Sequence, residues 1–169
     1  MRQIIILFIM TLSVFVNIVK ADSLPEYTMK AAYLYNFALL TDWPSNQQSD
    51  TFNICFYRED FGEASDALKN KILRNQKIRI MTISSPEEAK ECHMIFIREA
   101  EEQKSEKLIQ KLSGSSVLIV SETSKVSDAH IRILKENRKL AFDVSLKPIK
   151  ESDLSVSSRL LKLARKVEP

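Results

Sequence analysis

The chain has 169 residues, 44% hydrophobic and 28% charged, with a formal net charge of +3. This composition is typical of a folded globular protein, and the length predicts a single domain. The two glycines cannot form the glycine-rich loops that cradle nucleotide phosphates, and the two cysteines and two histidines lack the short spacings of a zinc site. We therefore expect no nucleotide loop, no metal and no other cofactor.

The first 21 residues have the three sections of a secretory signal peptide. Arg2 provides a positive start, Ile4 to Val19 is an apolar run, and Val19-Lys20-Ala21 approximates a cleavage site. We expect cleavage after Ala21, which leaves 22–169 as the mature domain. The alternative is a retained membrane anchor, but the run is shorter than the ~20 residues of a spanning helix. Removal of two basic residues leaves a net charge of +1, which favours no nucleic-acid partner.

The mature chain begins with a helix pattern. Ser23-Leu24-Pro25-Glu26 has the form of a capping box and predicts a helix to about Thr41, which Trp43-Pro44 ends. A strand is predicted next at Phe52, Ile54 and Phe56. Asp60 and Glu63 predict the start of a second helix, whose apolar residues repeat at helical spacing along one buried face: Phe61, Ala64, Leu68 and Ile72.

Two continuous apolar runs follow in the middle of the chain. A second strand is predicted at Ile78, Ile80 and Ile83, and Ser85-Pro86-Glu87-Glu88 predicts a short helix. The runs Met94–Ile97 and Val117–Val120 are typical of central strands covered on both faces. A helix is predicted between these two strands, from about Lys104 to Leu112, with Gly114 after its end.

The last part of the chain predicts a hairpin and a helix. Apolar residues alternate on both sides of Glu136-Asn137-Arg138, which indicates an antiparallel hairpin formed by Ile131, Ile133, Leu140, Phe142 and Val144. The final helix is predicted to have an apolar stripe of Val156, Leu160, Leu163 and Val167. Its basic residues would face the negative end of the helix dipole: Arg159, Lys162, Arg165 and Lys166.

This order of elements predicts an α/β three-layer sandwich with a mostly parallel sheet. Parallel strands need helical crossovers, and the crossovers cover both faces of the sheet. We expect the first four strands in the order 2-1-3-4 and the antiparallel hairpin at one edge.

No arrangement of residues predicts catalysis. His130 has no carboxylate or serine at an informative spacing, and Ser157-Ser158 lacks the turn that exposes a nucleophile. His93 adjoins Cys92, an arrangement that can activate a thiol, but neighbouring strand residues point to opposite faces, which favours a structural histidine. A hydrolase or a thiol oxidoreductase is therefore the last of the function classes, and we expect no enzymatic activity.

Two long strings and three shorter segments carry a family resemblance. Segment 26–37 contains Tyr35-Asn36-Phe37 and is followed by Trp43-Pro44, while segment 156–164 contains Ser158-Arg159-Leu160. Three shorter segments between them agree as well: Asn53-Ile54-Cys55, Glu91-Cys92-His93-Met94-Ile95-Phe96 and Leu140-Ala141-Phe142-Asp143-Val144. Together they resemble the YfiR-like family of bacterial periplasmic proteins over nearly the whole mature chain.

The resemblance implies a regulator in the periplasm. The best-understood relative is a repressor that binds the sensory part of an inner-membrane diguanylate cyclase and holds down cyclic-di-GMP synthesis, with biofilm formation as the output. Release of this repressor involves an outer-membrane-associated lipoprotein, and relatives form homodimers. We therefore expect the cyclase, such a lipoprotein and a second copy of the chain as partners here. The alternative is a periplasmic small-molecule-binding module without a cyclase partner.

The resemblance also implies roles for individual residues. Relatives have cysteines at the positions of Cys55 and Cys92, which predicts a disulfide in an oxidising compartment; the alternative is two buried free thiols. The family motif residues either pack in the core or bind a partner, and packing is favoured for the aromatic ones. These residues are Tyr35, Asn36, Phe37, Trp43, Pro44, Ser158, Arg159 and Leu160, and we expect Asn36 to bond a backbone group.

The chain departs from the family pattern at two places. Ile131 to Lys139 contains no glycine where the family has a glycine-containing stretch before its last strand, and Ser145 stands where asparagine is usual. A family binding surface in this region would therefore be altered here.

Overall fold

The computed structural model describes residues 23–44, 49–123, 125–126, 128–137 and 139–169. The signal peptide predicted for residues 1–21 lies outside these ranges. Among the helices of the described ranges, none has the length and apolar character that crossing a membrane requires.

Helices and strands alternate along the chain, as the apolar patterns predict. The helices are α1 Ser23–Leu39, α2 Glu63–Lys69, α3 Glu102–Leu112, α4 Leu146–Glu151 and α5 Ser158–Leu163, with 3-10 turns at Glu88–Glu91 and Glu99–Glu101. The strands are β1 Thr41–Asp42, β2 Thr51–Tyr57, β3 Ile72–Leu73, β4 Gln76–Ile83, β5 Met94–Ile97, β6 Leu118–Ser121, β7 Ile131–Glu136, β8 Lys139–Ser145, β9 Ser155–Val156 and β10 Lys166–Glu168.

Eight strands form one mostly parallel sheet in the order β10-β8-β7-β6-β5-β2-β4-β3. The pairs β7–β8 and β3–β4 are antiparallel, and β1 and β9 form a separate antiparallel pair. The first four predicted strands correspond to β2, β4, β5 and β6, and their order in the sheet confirms the 2-1-3-4 prediction.

Helices cover both faces of the sheet, which confirms the three-layer sandwich. Alternate residues of one strand point to opposite layers, so Met94 and Phe96 of β5 lie in one core while Ile95 and Ile97 lie in the other. The first core is closed by α1, α2, α4 and α5, and the second by α3, which contributes Leu108 and Leu112. The continuous apolar run of β5 is thus explained by burial on both sides.

The second helix is shorter than predicted. It ends at Lys69, and Ile72, predicted on its buried face, lies in β3 with 64% of its surface exposed. The chain turns back at Arg74 and Asn75, which both have positive φ, and β3 pairs antiparallel with β4. Two consecutive left-handed residues are the geometry of a tight hairpin turn, which asparagine favours. The hairpin therefore replaces the last helical turn.

The last helix is also shorter, and the hairpin is not the edge of the sheet. Helix α5 ends at Leu163, and β10 pairs in parallel with β8, outside the hairpin. The Arg165 guanidinium donates two hydrogen bonds to the Asp143 carboxylate, at 2.8 and 2.5 Å, and the Arg165 backbone N–H donates to Phe142 O. A buried carboxylate needs such a partner, so the chain extends along β8 instead of continuing the helix.

We expect Arg165→Gln to lower the melting temperature. The change removes the cation and leaves the Asp143 carboxylate, only 5% exposed, without its partner. A matched control is Lys166→Gln, because Lys166 pairs with Glu168 at the surface, where ion pairs contribute little. Thermal denaturation followed by circular dichroism measures both, and equal melting temperatures for the two variants would contradict the role given to Arg165.

Candidate functional site

An open groove lies between the C-terminal half of α1 and the short helix α5. We call it the α1–α5 groove; its volume is about 260 Å³. Nine residues line it: Tyr33, Asn36, Phe37, Leu39, Leu40, Phe142, Arg159, Leu160 and Leu163. The groove therefore brings together four family motif residues from opposite ends of the mature chain, Asn36 and Phe37 with Arg159 and Leu160.

The floor of the groove is a packed aromatic cluster. The rings of Phe37 and Phe142 meet edge to face with centroids 4.9 Å apart, and Tyr33 stacks beside Phe37 at 5.8 Å. The Tyr33 hydroxyl donates a 3.0 Å hydrogen bond to Leu140 O, which fixes α1 on β8. Phe37 and Leu160 are buried, so these two motif residues form part of the core beneath the groove.

The rim of the groove is apolar with a single cation. Leu39 is 38% exposed and Leu163 is 62% exposed, and Arg159 is the only charged residue of the nine. The Ser157 hydroxyl accepts a hydrogen bond from Leu160 N and so caps α5, on which residues four apart share one face. Helix α5 therefore presents Arg159 and Leu163 side by side.

Asn36, on the other side of the groove, makes the expected backbone hydrogen bond. Its Nδ2 donates to Ala32 O at 2.8 Å, which confirms the prediction. The bond lies within α1 and leaves the amide at the surface.

The other family motif residues lie outside the groove. The Tyr35 hydroxyl donates to Ile72 O at 3.1 Å and ties α1 to β3. Trp43 packs edge-on against Phe52, and its indole N–H donates to His93 O at 3.1 Å. Pro44 follows Trp43 in the chain, and Ser158 is the exposed first residue of α5. The structure thus places Trp43 and Pro44 apart from the groove, and Tyr35 and Ser158 on its two helices but outside its lining.

Trp43 lines a second pocket, at the edge of the sheet where β2 and β5 begin. We call it the Trp43 pocket; its volume is about 270 Å³, and its lining includes Phe52, His93 and Arg74. The Arg74 side chain bonds to Leu39 O at 2.8 Å and to the Asp42 carboxylate at 2.7 Å. The pocket therefore has an aromatic wall and a cation held in place by its neighbours.

The two histidines have the same structural role. The backbone N–H of His93 donates to Asn53 O, and the His93 Nδ1 accepts a 3.1 Å hydrogen bond from Asn53 N. In the same way, the backbone N–H of His130 donates to Ile119 O, and the His130 Nδ1 accepts a 2.9 Å hydrogen bond from Ile119 N. Each imidazole thus supplies a hydrogen-bond acceptor where a strand begins, in place of a backbone carbonyl. The favoured structural interpretation of His93 agrees with this geometry.

His130 also contacts a serine that the sequence did not indicate, because 22 residues separate them. Its Nε2 lies 3.0 Å from Ser152 Oγ. Since Nδ1 accepts a hydrogen bond, the neutral ring carries its proton on Nε2 and donates it to the hydroxyl. Burial lowers the pKa of His130 to about 4, against the smaller opposing effect of the Pro148 carbonyl. The imidazole is therefore oriented as a donor, whereas activating a serine nucleophile needs an acceptor.

Cys55 and Cys92 form a disulfide, which confirms that prediction. Cys55 lies in β2 and Cys92 precedes the neighbouring strand β5, with Cα atoms 5.9 Å apart. Both are buried in the core beneath α3. Elsewhere in the described ranges, no group of three or more His, Cys, Asp and Glu residues has the arrangement of a metal site.

The region that departs from the family pattern forms the β7–β8 hairpin. The chain reverses at Asn137, which has a φ of 48°, so asparagine takes the left-handed position there. Ser145 ends β8, and its hydroxyl donates to the Glu168 carboxylate of β10 at 3.4 Å. Ser145 thus contacts the C-terminal strand and lies outside the α1–α5 groove.

Comparison with known proteins places this fold and its motif strings in one family. The YfiR/HmsC-like family model matches residues 27–165, which span α1 to Arg165 and include both sides of the groove. A comparison with curated proteins gives no match. The family match covers far more than half of the chain and contains both cysteines of the disulfide. The chain therefore belongs to the YfiR/HmsC-like family.

Proposed function

We propose that this protein is a periplasmic regulator that binds the periplasmic part of an inner-membrane diguanylate cyclase. Binding would repress cyclic-di-GMP synthesis and so biofilm formation. Family membership supports a periplasmic regulator of diguanylate cyclase in general. The observation that carries the structural part is the α1–α5 groove, where the two longest family strings meet at an exposed apolar rim.

The protein acts by offering a surface and not by catalysis. The imidazole of the buried His130–Ser152 pair is oriented as a donor, because its Nδ1 already accepts a hydrogen bond from Ile119 N. Leu39 and Leu163 are large apolar side chains left partly in water, which is a cost that a partner surface relieves. A binding role therefore accounts for features of the groove that an isolated domain does not need.

The proposed location is the periplasm, with Asp22 as the first residue of the mature chain. A disulfide such as Cys55–Cys92 forms and persists in an oxidising compartment, which supports this location. The apolar N-terminal run supports export, although it lies outside the described residues. Homodimer formation and release by an outer-membrane-associated lipoprotein are further parts of the proposal, supported by the family resemblance.

We expect deletion of the protein to raise cellular cyclic-di-GMP, because the repressed cyclase is released. The exported chain should restore the lower level, whereas a version without residues 2–21 should not, since it stays in the cytoplasm. Nucleotide extraction with mass spectrometry measures the level, and purification of the tagged protein from crosslinked envelopes identifies the partner. Unchanged cyclic-di-GMP, with no cyclase recovered, would overturn the proposal.

The Trp43 pocket favours a second candidate function, a small-molecule-binding module. Its aromatic wall of Trp43 and Phe52 and its polar edge at His93 and Gln76 fit a small ligand with an apolar body and a polar group. Native mass spectrometry of the mature protein purified from the periplasm distinguishes the two candidates. A retained ligand of defined mass supports this function, and the bare chain mass contradicts it.

A further inference from the structure

The rim of the α1–α5 groove combines uncovered apolar surface with uncompensated positive charge. The α1 side of the groove has no charge, because residues 31–41 contain no charged side chain. On the α5 side, Arg159 and Lys162 are exposed, and neither has a carboxylate partner within the part of the chain that the structure describes. Arg165, by contrast, is already paired with Asp143. The groove therefore offers Arg159 as a cation without a counterion.

We propose that the groove binds a segment of a partner protein that carries an apolar side chain beside a carboxylate. The apolar side chain lies between Leu39 and Leu163, and the Asp or Glu pairs with Arg159. A guanidinium suits this role because it binds a carboxylate through two parallel hydrogen bonds. This inference rests on the proposed function, because it assumes a partner protein. It adds the chemistry of the surface that this partner presents.

A second copy of this chain fits the groove poorly. Three large apolar side chains outside the groove are also exposed: Met29, Ile72 and Val167. Lys71 adjoins Ile72, so this segment would bring a positive charge to Arg159. Acidic residues near the other two are already paired, Glu26 with Lys30 and Lys135, and Glu168 with Lys166. Charge complementarity therefore favours a different protein.

Photocrosslinking in living cells tests the assignment. The photoreactive amino acid p-benzoylphenylalanine replaces Leu163 in the exported chain, and a matched control places it at Met29. Met29 is 47% exposed on the same helix that forms one side of the groove, but it is not among the lining residues. We expect Leu163 to give a protein crosslink that Met29 does not give, and mass spectrometry to place it at an apolar residue within one helical turn of an Asp or Glu.

A charge exchange tests the ion pair. Arg159→Glu in the Leu163 crosslinking chain is expected to lower the crosslink yield about tenfold. Replacing the identified partner carboxylate by Lys should restore the yield with Arg159→Glu and lower it with the natural arginine. Both positions on this chain are exposed, so equal melting temperatures of the variants show that the fold is intact.

Every outcome decides between the two proposals or against this one. A crosslinked protein of the expected chemistry that is not a cyclase supports the groove assignment and counts against the proposed function. Crosslinks to a second copy, to lipid alone, or equal in yield to those from Met29 overturn the groove assignment. An Arg159→Glu chain with unchanged yield also overturns it, even where deletion raises cyclic-di-GMP and the proposed function holds.

Discussion

Replacing the disulfide with the pair Cys55→Ala and Cys92→Ala is expected to lower the melting temperature by about 5–15 °C. The bond closes a loop with a sequence separation of 37 residues. The loss of chain entropy in the unfolded state would stabilise the folded protein by about 3.8 kcal/mol for such a loop. Disulfides usually contribute about 2–4 kcal/mol to the free energy of unfolding. That is a large part of the roughly 5–15 kcal/mol that stabilises a domain. Regulation should weaken with it because less folded protein remains, not because any chemistry is removed.

Alanine is the informative substitution because both positions are buried among apolar side chains. Serine would add the cost of a buried hydroxyl to the loss of the bond. Differential scanning calorimetry with and without reductant provides the control. Reductant present during unfolding should lower the melting temperature of the natural protein and leave that of the double variant unchanged. Two free thiols in denatured, unreduced protein taken directly from the periplasm would refute the bond.

Acid is expected to destabilise the folded protein through His130. The pKa of this buried imidazole is lowered to about 4, whereas the unfolded chain protonates near the ordinary value of 6.5. Between these values the unfolded state binds the additional proton, so the free energy of unfolding falls as the pH falls. The stabilisation is fully present above about pH 6.5 and is lost toward pH 4. Linkage gives a loss of about 2 kcal/mol at pH 5 and about 3 kcal/mol below pH 4.

Urea unfolding at pH 7 and pH 5 measures this effect, with His130→Gln as the control. Glutamine has no titrating group, and its carbonyl oxygen can accept the hydrogen bond from Ile119 N. The difference in the free energy of unfolding between the two pH values should therefore shrink by about 2 kcal/mol in the variant. An equal pH difference in both proteins would show that another group causes the acid sensitivity.

The α1–α5 groove shows why the candidate site was only partly predictable from the sequence. The sequence marks Asn36, Phe37, Arg159 and Leu160 by family resemblance, but nothing local indicates that the two strings meet. They meet because α1 and α5 pack on the same face of the sheet, where both contribute to one core. Leu163 is predicted on the buried stripe of the last helix and is instead 62% exposed at the rim.

The His130–Ser152 contact was missed for a similar reason. The two residues join the start of β7 to the end of α4, and only the order of strands in the sheet brings these places together. Spacing along the chain carries no information about such a pair. The orientation of its hydrogen bonds, with Nε2 as the donor, follows from the contact with Ile119 on β6.

The sequence by itself determined the alternation of helices and strands and the two central strands. These features follow from local patterns, because the period of apolar residues reports which faces of an element are buried. The disulfide was implied by the family resemblance together with an oxidising compartment. The parallel order of the first four strands followed from the helical crossovers between them.

Only the tertiary structure decided that the chain finishes in the strand β10, and that the rim of the α1–α5 groove is exposed. Local helical spacing continues through Val167, yet the helix ends at Leu163. The reason is that Arg165 pairs with the buried carboxylate of Asp143, and the strand that follows forms backbone hydrogen bonds with β8. Periodicity cannot report this competition, since the free energy of a buried charge depends on a partner distant in sequence. The early end of α5 is what leaves Leu163 exposed beside Arg159 and so creates the groove.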